Sequence, residues 1–323
     1  MKNIFKNLIA VLFSTLFTTA VCAQSYPIKT IKIVVPFPPG GATDIIARAV
    51  AEKLQLAFNK PVIVENKAGA SGNIGVGDVV RSAPDGYTLV MGAAQTLTIN
   101  HQLFSNLTFV PQKDLAPIIV VASVPNVLVV ANRLPAKNLQ EFIALAKANS
   151  GKFSSGSSSI GGTPHLTLEM FKSVTGTNIV HIPYKGSAPA LQDLGGGQIE
   201  LMFDNLPAAL PFITSGRIRA IGVTTLKRTA SAPEIPTFDE MGLKGFDSQG
   251  WFGLLAPAGT PVSVLERLNA EVNKIIQTAE FRERLVKAGA DPVGGSIEDF
   301  RQRLKSETDR WGRVIKAANV KAE

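Results

Sequence analysis

The 323-residue chain contains one cysteine, two tryptophans, three tyrosines and three histidines. Its cysteine, Cys22, lies in the N-terminal apolar run, so a chain cleaved after Ala23 has no disulfide and no thiol chemistry. His101, His165 and His181 have no metal-ligand spacing, and no His-Glu-x-x-His occurs. The nucleophile elbow Gly-x-Ser-x-Gly is missing, because Gly156-Ser157-Ser158 continues into Ser159-Ile160. Gly151-Lys152 is preceded by Ala146 where a P-loop has its first glycine, and Gly75-Val76-Gly77 runs on as Asp78-Val79-Val80 without a dinucleotide fingerprint. Charged residues make up only 18% and are not interleaved with aromatics, which argues against a nucleic-acid surface. No metal, cofactor or nucleic acid is therefore expected.

What is present begins with an export leader. Lys2 and Lys6 precede an apolar stretch from Leu8 to Val21, and Val21-Cys22-Ala23 is a small-residue cleavage site before Gln24. The stretch is short of the about 20 residues that a membrane span needs. Lipidation at Cys22 is the alternative, against which stands Val21 where a lipobox has Gly, Ala or Ser. The expectation is a leader over residues 1–23, cleavage near Ala23 and a periplasmic, monomeric product. The formal charge of +8 falls by two with the leader, leaving a mild field that favours anions.

Short apolar runs alternate with helical patterns, which predicts an α/β chain with mostly parallel sheets flanked by helices. Predicted strands include 31–35, 62–65, 87–92, 152–155, 178–182, 199–203 and 218–224, with helices between them. The apolar stretch 118–130 is too long for one ordinary strand and holds Pro125, so it reads as one strand leaving a domain and another entering the next. The run Gly250-Trp251-Phe252-Gly253-Leu254-Leu255-Ala256 is the expected return crossing, and three helical patterns follow it. The organisation expected is a two-lobed clamp: residues 24–124 and 250–323 form one lobe, and 125–249 a second, inserted one. Two independent domains in series are the alternative.

The candidate site lies where strands end and helices begin. Phe37-Pro38-Pro39-Gly40-Gly41-Ala42-Thr43-Asp44 stops a strand and opens a helix that Thr43 or Asp44 can cap. Free first-turn N–H groups there make an anion site without a basic side chain. The serine-rich run Ser154–His165 is its counterpart, with Ser157, Ser158, Gly161 and Gly162 as a flexible donor loop, Thr163 as N-cap and Pro164 at the first helical position. Asn66 and Gly69, Ala94 and Gln95, and Asp204 with Asn205 also end strands at this rim. Asp204 can accept from a ligand ammonium or hydroxyl, or cap the next helix. Two facing helix N-termini point to a small carboxylate, held reversibly. A serine hydrolase using Ser157 and His165 is the enzymatic alternative.

The ordered series Val34-Val35-Pro36-Phe37-Pro38-Pro39-Gly40-Gly41-Ala42-Thr43-Asp44, Val64-Glu65-Asn66-Lys67-Ala68-Gly69-Ala70, Ala83-Pro84-Asp85-Gly86-Tyr87, His181-Ile182-Pro183-Tyr184-Lys185-Gly186-Ser187, Met202-Phe203-Asp204-Asn205 and Leu255-Ala256-Pro257-Ala258-Gly259-Thr260-Pro261 resembles the Bug-type receptors of tripartite tricarboxylate transport systems. The resemblance spans essentially the whole mature chain. It implies a solute-binding protein of two α/β lobes, type II-like, that closes on a di- or tricarboxylate, an acidic amino acid or an aromatic acid. It also implies membrane permease subunits as partners; a binding protein that feeds a sensor instead is the alternative reading. One ligand carboxylate would meet main-chain groups and water at Phe37 to Asp44, with Ser157 to His165 on the second lobe. Ala93–Thr98 and Ser157–Ile160 depart from the usual form of those loops.

Overall fold

The computed structural model describes residues 26–321; the leader, its cleavage after Ala23 and Cys22 lie outside the described residues. Strands β1 (Ile31–Val35), β2 (Val62–Asn66) and β3 (Thr88–Ala93) are parallel in the order β2-β1-β3. The helices Ala42–Phe58 and Asn73–Val80 connect them. β1 is buried at four of its five positions because both faces of this sheet are covered.

β4 (Leu115–Ala131) is one unbroken strand of 17 residues. Four shorter strands follow: β5 (Ser154–Ser157), β6 (Val180–Pro183), β7 (Leu201–Asn205) and β8 (Ile218–Val223). The chain then returns through β9 (Gln249–Pro257) and the short β10 (Asp291–Pro292). Pro125 does not interrupt β4 but marks where its partners change. Leu115 to Pro125 pair with β9, whereas the residues from Asn126 onward pair with β7 and β8. Parallel pairs occupy the flanks, β5 lying between β6 and β7. β4 and β9 run antiparallel at the centre, where the chain crosses between the two halves.

Each half-sheet has a core on both faces. In the N-terminal half Ile33, Val50, Leu89 and Leu254 pack on one side, and Val34, Val90, Leu255 and Phe300 on the other. In the inserted half, adjacent residues of β4 divide between faces: Val129 joins Leu191 and Met202, and Leu128 joins Phe142, Phe171 and Phe203. This is the period of two expected of a sheet covered on both sides. The helix Val262–Gln277 lies against β4 and the helix Ala42–Phe58. The last helix, Ile297–Ala317, starts from a Ser296–Asp299 capping box and packs on β4 and the turn Gln95–Ile99.

The serine-glycine run is not wholly a loop. Ser154–Ser157 is strand β5 itself, and the connection begins at Ser158. Small side chains are required there, since a Cβ on Gly156 would come 2.7 Å from Ile199.

Polar side chains tie the two crossings together. Asn126 is fully buried; its Nδ2 donates to Thr167 Oγ1 at 2.7 Å and Ser248 Oγ at 3.4 Å, and its Oδ1 accepts from Asn205 Nδ2 at 2.6 Å. The Thr224 N–H, just after β8, donates to the Asn126 carbonyl at 2.9 Å, and the Ser248 N–H donates to the Thr224 carbonyl at 2.9 Å, which links the outgoing strand to the returning one. Asn126→Ala strands buried partners, and is expected to cost about 1–3 kcal/mol of stability. A shift in the urea midpoint at unchanged slope checks this; no shift contradicts it.

A candidate anion-binding cleft

The strand ends of both halves meet around a partly open space of about 50 Å³. At roughly 10–15 Å³ for each water centre, it holds a few waters or one carboxylate group. The N-terminal half contributes Phe37, Pro38, Gly41, Thr43, Ala94 and Gln95, and the inserted half Ser158, Thr163, Ser187 and Asn205. Gly250, Trp251 and Phe252 of β9 close the space from the crossing. Phe37, Pro38, Ser158 and Gly186 also line an outer groove that runs past Gly69 and Lys185.

Four helices begin at this wall: Ala42–Phe58, Thr163–Thr175, Ser187–Gly195 and Leu206–Thr214. Their N-caps are Gly41, Gly162, Gly186 and Asn205, and none receives a side-chain capping bond. Thr163 and Thr43 are thus first-turn residues, and neither they nor Asp44 is the cap. Pro164, Pro189 and Pro207 have no N–H; the other first-turn N–H groups, with no capping side chain to occupy them, stay available to a ligand, and the helix dipoles favour negative charge. Among the described residues, no Lys or Arg lines the space.

The remaining predicted residues support this wall from behind. Asp44 accepts from the Gly40 N–H at 3.1 Å, Arg48 Nε at 3.0 Å and Asn66 Nδ2 at 3.0 Å. Asn66 Nδ2 also donates to the Phe37 carbonyl at 3.1 Å, so the two side chains fix the loop. Burial pushes the Asp44 carboxyl up, but bonds from Arg48, Gly40 and Asn66 outweigh it and hold the group below its ordinary range. Pro39, Gly40, Asp44, Asn66, Gly161 and Gly162 do not line the space, although Gly40 at φ +85° and Gly161 at φ +76° shape the two loops.

Gln95 lines the space, but its amide is committed across the cleft. Nε2 donates to the Ile160 carbonyl at 2.8 Å and Oε1 accepts from Ser159 Oγ at 2.9 Å. It opens a buried π-turn, Gln95–Ile99, a local widening that occurs mostly at functional sites.

The Ser157–His165 pair does not form. Ser157 Oγ lies 2.6 Å from Nε2 of His181 instead, and the residue is buried in β5. His165 Nδ1 accepts from the Gly161 N–H at 3.0 Å, and its ring stacks on His181 at 3.8 Å. Burial, with the neighbouring His181 and Lys172 charges, lowers His165 to about 3; burial and Lys172 lower His181 to about 4. Both shifts favour the neutral ring at neutral pH.

Asp204 lies just behind the wall, not on it. Its Oδ1 accepts from Ser187 Oγ at 3.0 Å and the Asn205 N–H at 2.9 Å, while the buried Oδ2 has no partner. Burial pushes its carboxyl up to about 7, against the lowering effect of those two bonds.

Of the residues lining the space, sequence reasoning gave Trp251 no part in the site and did not single out Ser187 as a contact. Gly186-Ser187 carries the same signal as Gly41-Ala42, a glycine between a strand end and a helix start. Trp251 carries none: it is placed by β9 and held by its Nε1 bond to Glu307 at 3.2 Å.

The family model for the tripartite tricarboxylate transporter family receptor matches residues 46–320. Protein BugT of Bordetella pertussis is 37% identical over 302 residues, 93% of each chain. A structure from R. palustris with adipate superposes at a TM-score of 0.90 with 36% identity, covering 92% of this chain and 99% of that one. MatC from Rhodopseudomonas palustris with bound malate superposes at 0.84 with 30% identity, covering 90% and 100%.

The raised Asp204 predicts a stability effect. The folded state holds this proton between the ordinary carboxylate range and about pH 7, so stability falls as pH rises through that window. Asp204→Asn keeps an acceptor for Ser187 and removes the titration. The melting temperature of this variant relative to wild type is expected to be higher at pH 8 than at pH 5; an equal difference at both contradicts the buried, raised carboxyl.

Proposed function

Because the chain belongs to the tripartite tricarboxylate transporter family of receptors, and is a periplasmic solute-binding protein of that type, we propose that it captures a small carboxylate between its halves and delivers it to a membrane permease. The observation that carries this is the convergence of four uncapped helix starts on one cation-free space. The adipate and malate of two structural relatives are small carboxylates of the kind such a space accepts.

On this proposal residues 24–124 and 250–323 move as one lobe and 125–249 as the other, hinged near Asn126, where the partners of β4 change. The leader is removed near Ala23 and the product works as a periplasmic monomer. One carboxylate enters the space against the amides of Ala42 and Thr43 and the donors of Ser158 and Thr163. The rest of the ligand extends along the groove past Gly69. Asp44, Asn66, Gly161 and Gly162 hold these loops and do not touch the ligand, and Gln95 keeps the lobes shut. A few charge-assisted hydrogen bonds at about 1.5–3 kcal/mol each, with apolar contact from Phe37 and Phe252, reach the roughly −8 kcal/mol of a micromolar complex.

A thermal-shift panel of small acids and neutral sugars tests the assignment. An acid at about a hundred times its Kd should add roughly 2.7 kcal/mol. A sugar that stabilises where no acid does overturns it. Gly41 adopts φ −82°, which any residue accepts, and no atom lies closer to its added Cβ than the Pro38 carbonyl at 4.0 Å. Gly41→Val therefore keeps the fold but fills the site: binding of adipate or malate is expected to drop about a hundredfold, some 2.7 kcal/mol, with little change in melting. Unchanged affinity by calorimetry contradicts the site.

A further inference from the structure

We propose that Asp204 takes up one proton as the anionic ligand enters, so that the receptor binds a carboxylate and a proton together. This rests on the carboxylate-binding reading of the cleft and adds a second bound species to it.

The argument starts from the hydrogen-bond inventory of Ser187. A serine has one proton to donate. Here Ser187 Oγ gives it to Asp204 Oδ1 at 3.0 Å, which leaves the hydroxyl only lone pairs to show to the cavity that the residue lines. Lone pairs repel an entering carboxylate. Once Asp204 carries a proton, it can donate to Ser187 Oγ, and the serine proton is free to turn toward the ligand. A proton from solvent joins the carboxyl as the anion arrives and returns to solvent when the anion leaves.

The surroundings make that uptake the favourable response. Asp204 is buried, and among the described residues Oδ2 has no partner and no Lys or Arg lines the adjoining space. An ionised ligand beside an ionised Asp204 places two negative charges in a site without a cation, and such pairs share a proton. Among the elements packed on β7, β4, β5 and the helix Leu206–Thr214 carry no titratable side chain. The helix Ser187–Gly195 carries Asp193, which accepts from Tyr184 Oη at 2.8 Å. The helix Thr163–Thr175 carries His165, Glu169 and Lys172, of which the last two pair at 2.8 Å. Burial already pushes the free carboxyl up to about 7, so the ligand needs to raise it only a little further to hold the proton at neutral pH.

The test is calorimetry with adipate, or with malate if it binds more tightly, from about pH 6.5 to 8.5, where small dicarboxylates stay ionised. His165 and His181, lowered to about 3 and 4, stay neutral throughout this range. Repeating each titration in two buffers of different ionisation enthalpy counts the protons without any variant. Uptake is expected to peak, below one proton per ligand, where the pH lies between the free carboxyl's about 7 and the higher value that the ligand imposes, with the Kd rising with pH across that window. Asp204→Asn is expected to abolish the uptake and flatten the profile. Tight binding with no uptake, or equal uptake in Asp204→Asn, overturns the proton linkage and leaves carboxylate capture standing. Failure of every acid to bind overturns both.

Discussion

An anion that enters a site without a cation must be held by dipoles, and on the proposed reading backbone amides at helix starts supply them. The four helices at the cavity have Gly41, Gly162, Gly186 and Asn205 as N-caps, and none of these residues makes a side-chain capping bond. An Asp or Ser cap would stabilise each helix by about 1 kcal/mol but would fill the place a ligand carboxylate takes. Glycine leaves that place open. The architecture follows from this, because parallel strand–helix units bring helix starts to the strand ends, and the two half-sheets joined through β4 turn those ends toward each other.

Holding dipoles in place without a ligand takes support. Asp44 and Asn66 brace the first loop, binding Gly40 and the Phe37 carbonyl. The Gln95 amide joins the N-terminal half to Ser159 and Ile160 of the inserted half. Asn126 binds Thr167, Ser248 and Asn205, so one buried amide connects the point where the partners of β4 change to the cavity wall. Each of these polar side chains has its partners, which is what keeps a buried polar group from destabilising the fold.

The strand-end loops were legible in the sequence because proline, glycine and small hydroxyl residues punctuate the change from period two to helical spacing. Phe37, Gly41, Thr43, Ala94, Gln95, Ser158 and Thr163 were found this way, and all line the cavity. The depth of a residue was not legible. Asp44, Asn66 and Asp204 sit at the same strand ends and helix start, yet their side chains turn back into the protein, toward Asn66, the Phe37 carbonyl and Ser187 respectively. Ser157 illustrates the limit: beside glycines and serines it reads as loop, but pairing with β6 and contact with Ile199 make its neighbourhood a central strand. Its partner is His181, 24 residues away, rather than the nearer His165. Pro125 misleads in the opposite sense, since β4 continues through it and only changes partners.

The central claim is that peptide dipoles, not a charged side chain, hold the ligand. A crystal structure of the complex with the acid that gives the largest thermal shift tests it directly. The account predicts one carboxylate of that acid within hydrogen-bond distance of first-turn amides from both halves, among them Thr43 and Thr163, directly or through one water. A carboxylate paired instead with Lys185 in the outer groove, or with any other cation, would contradict it.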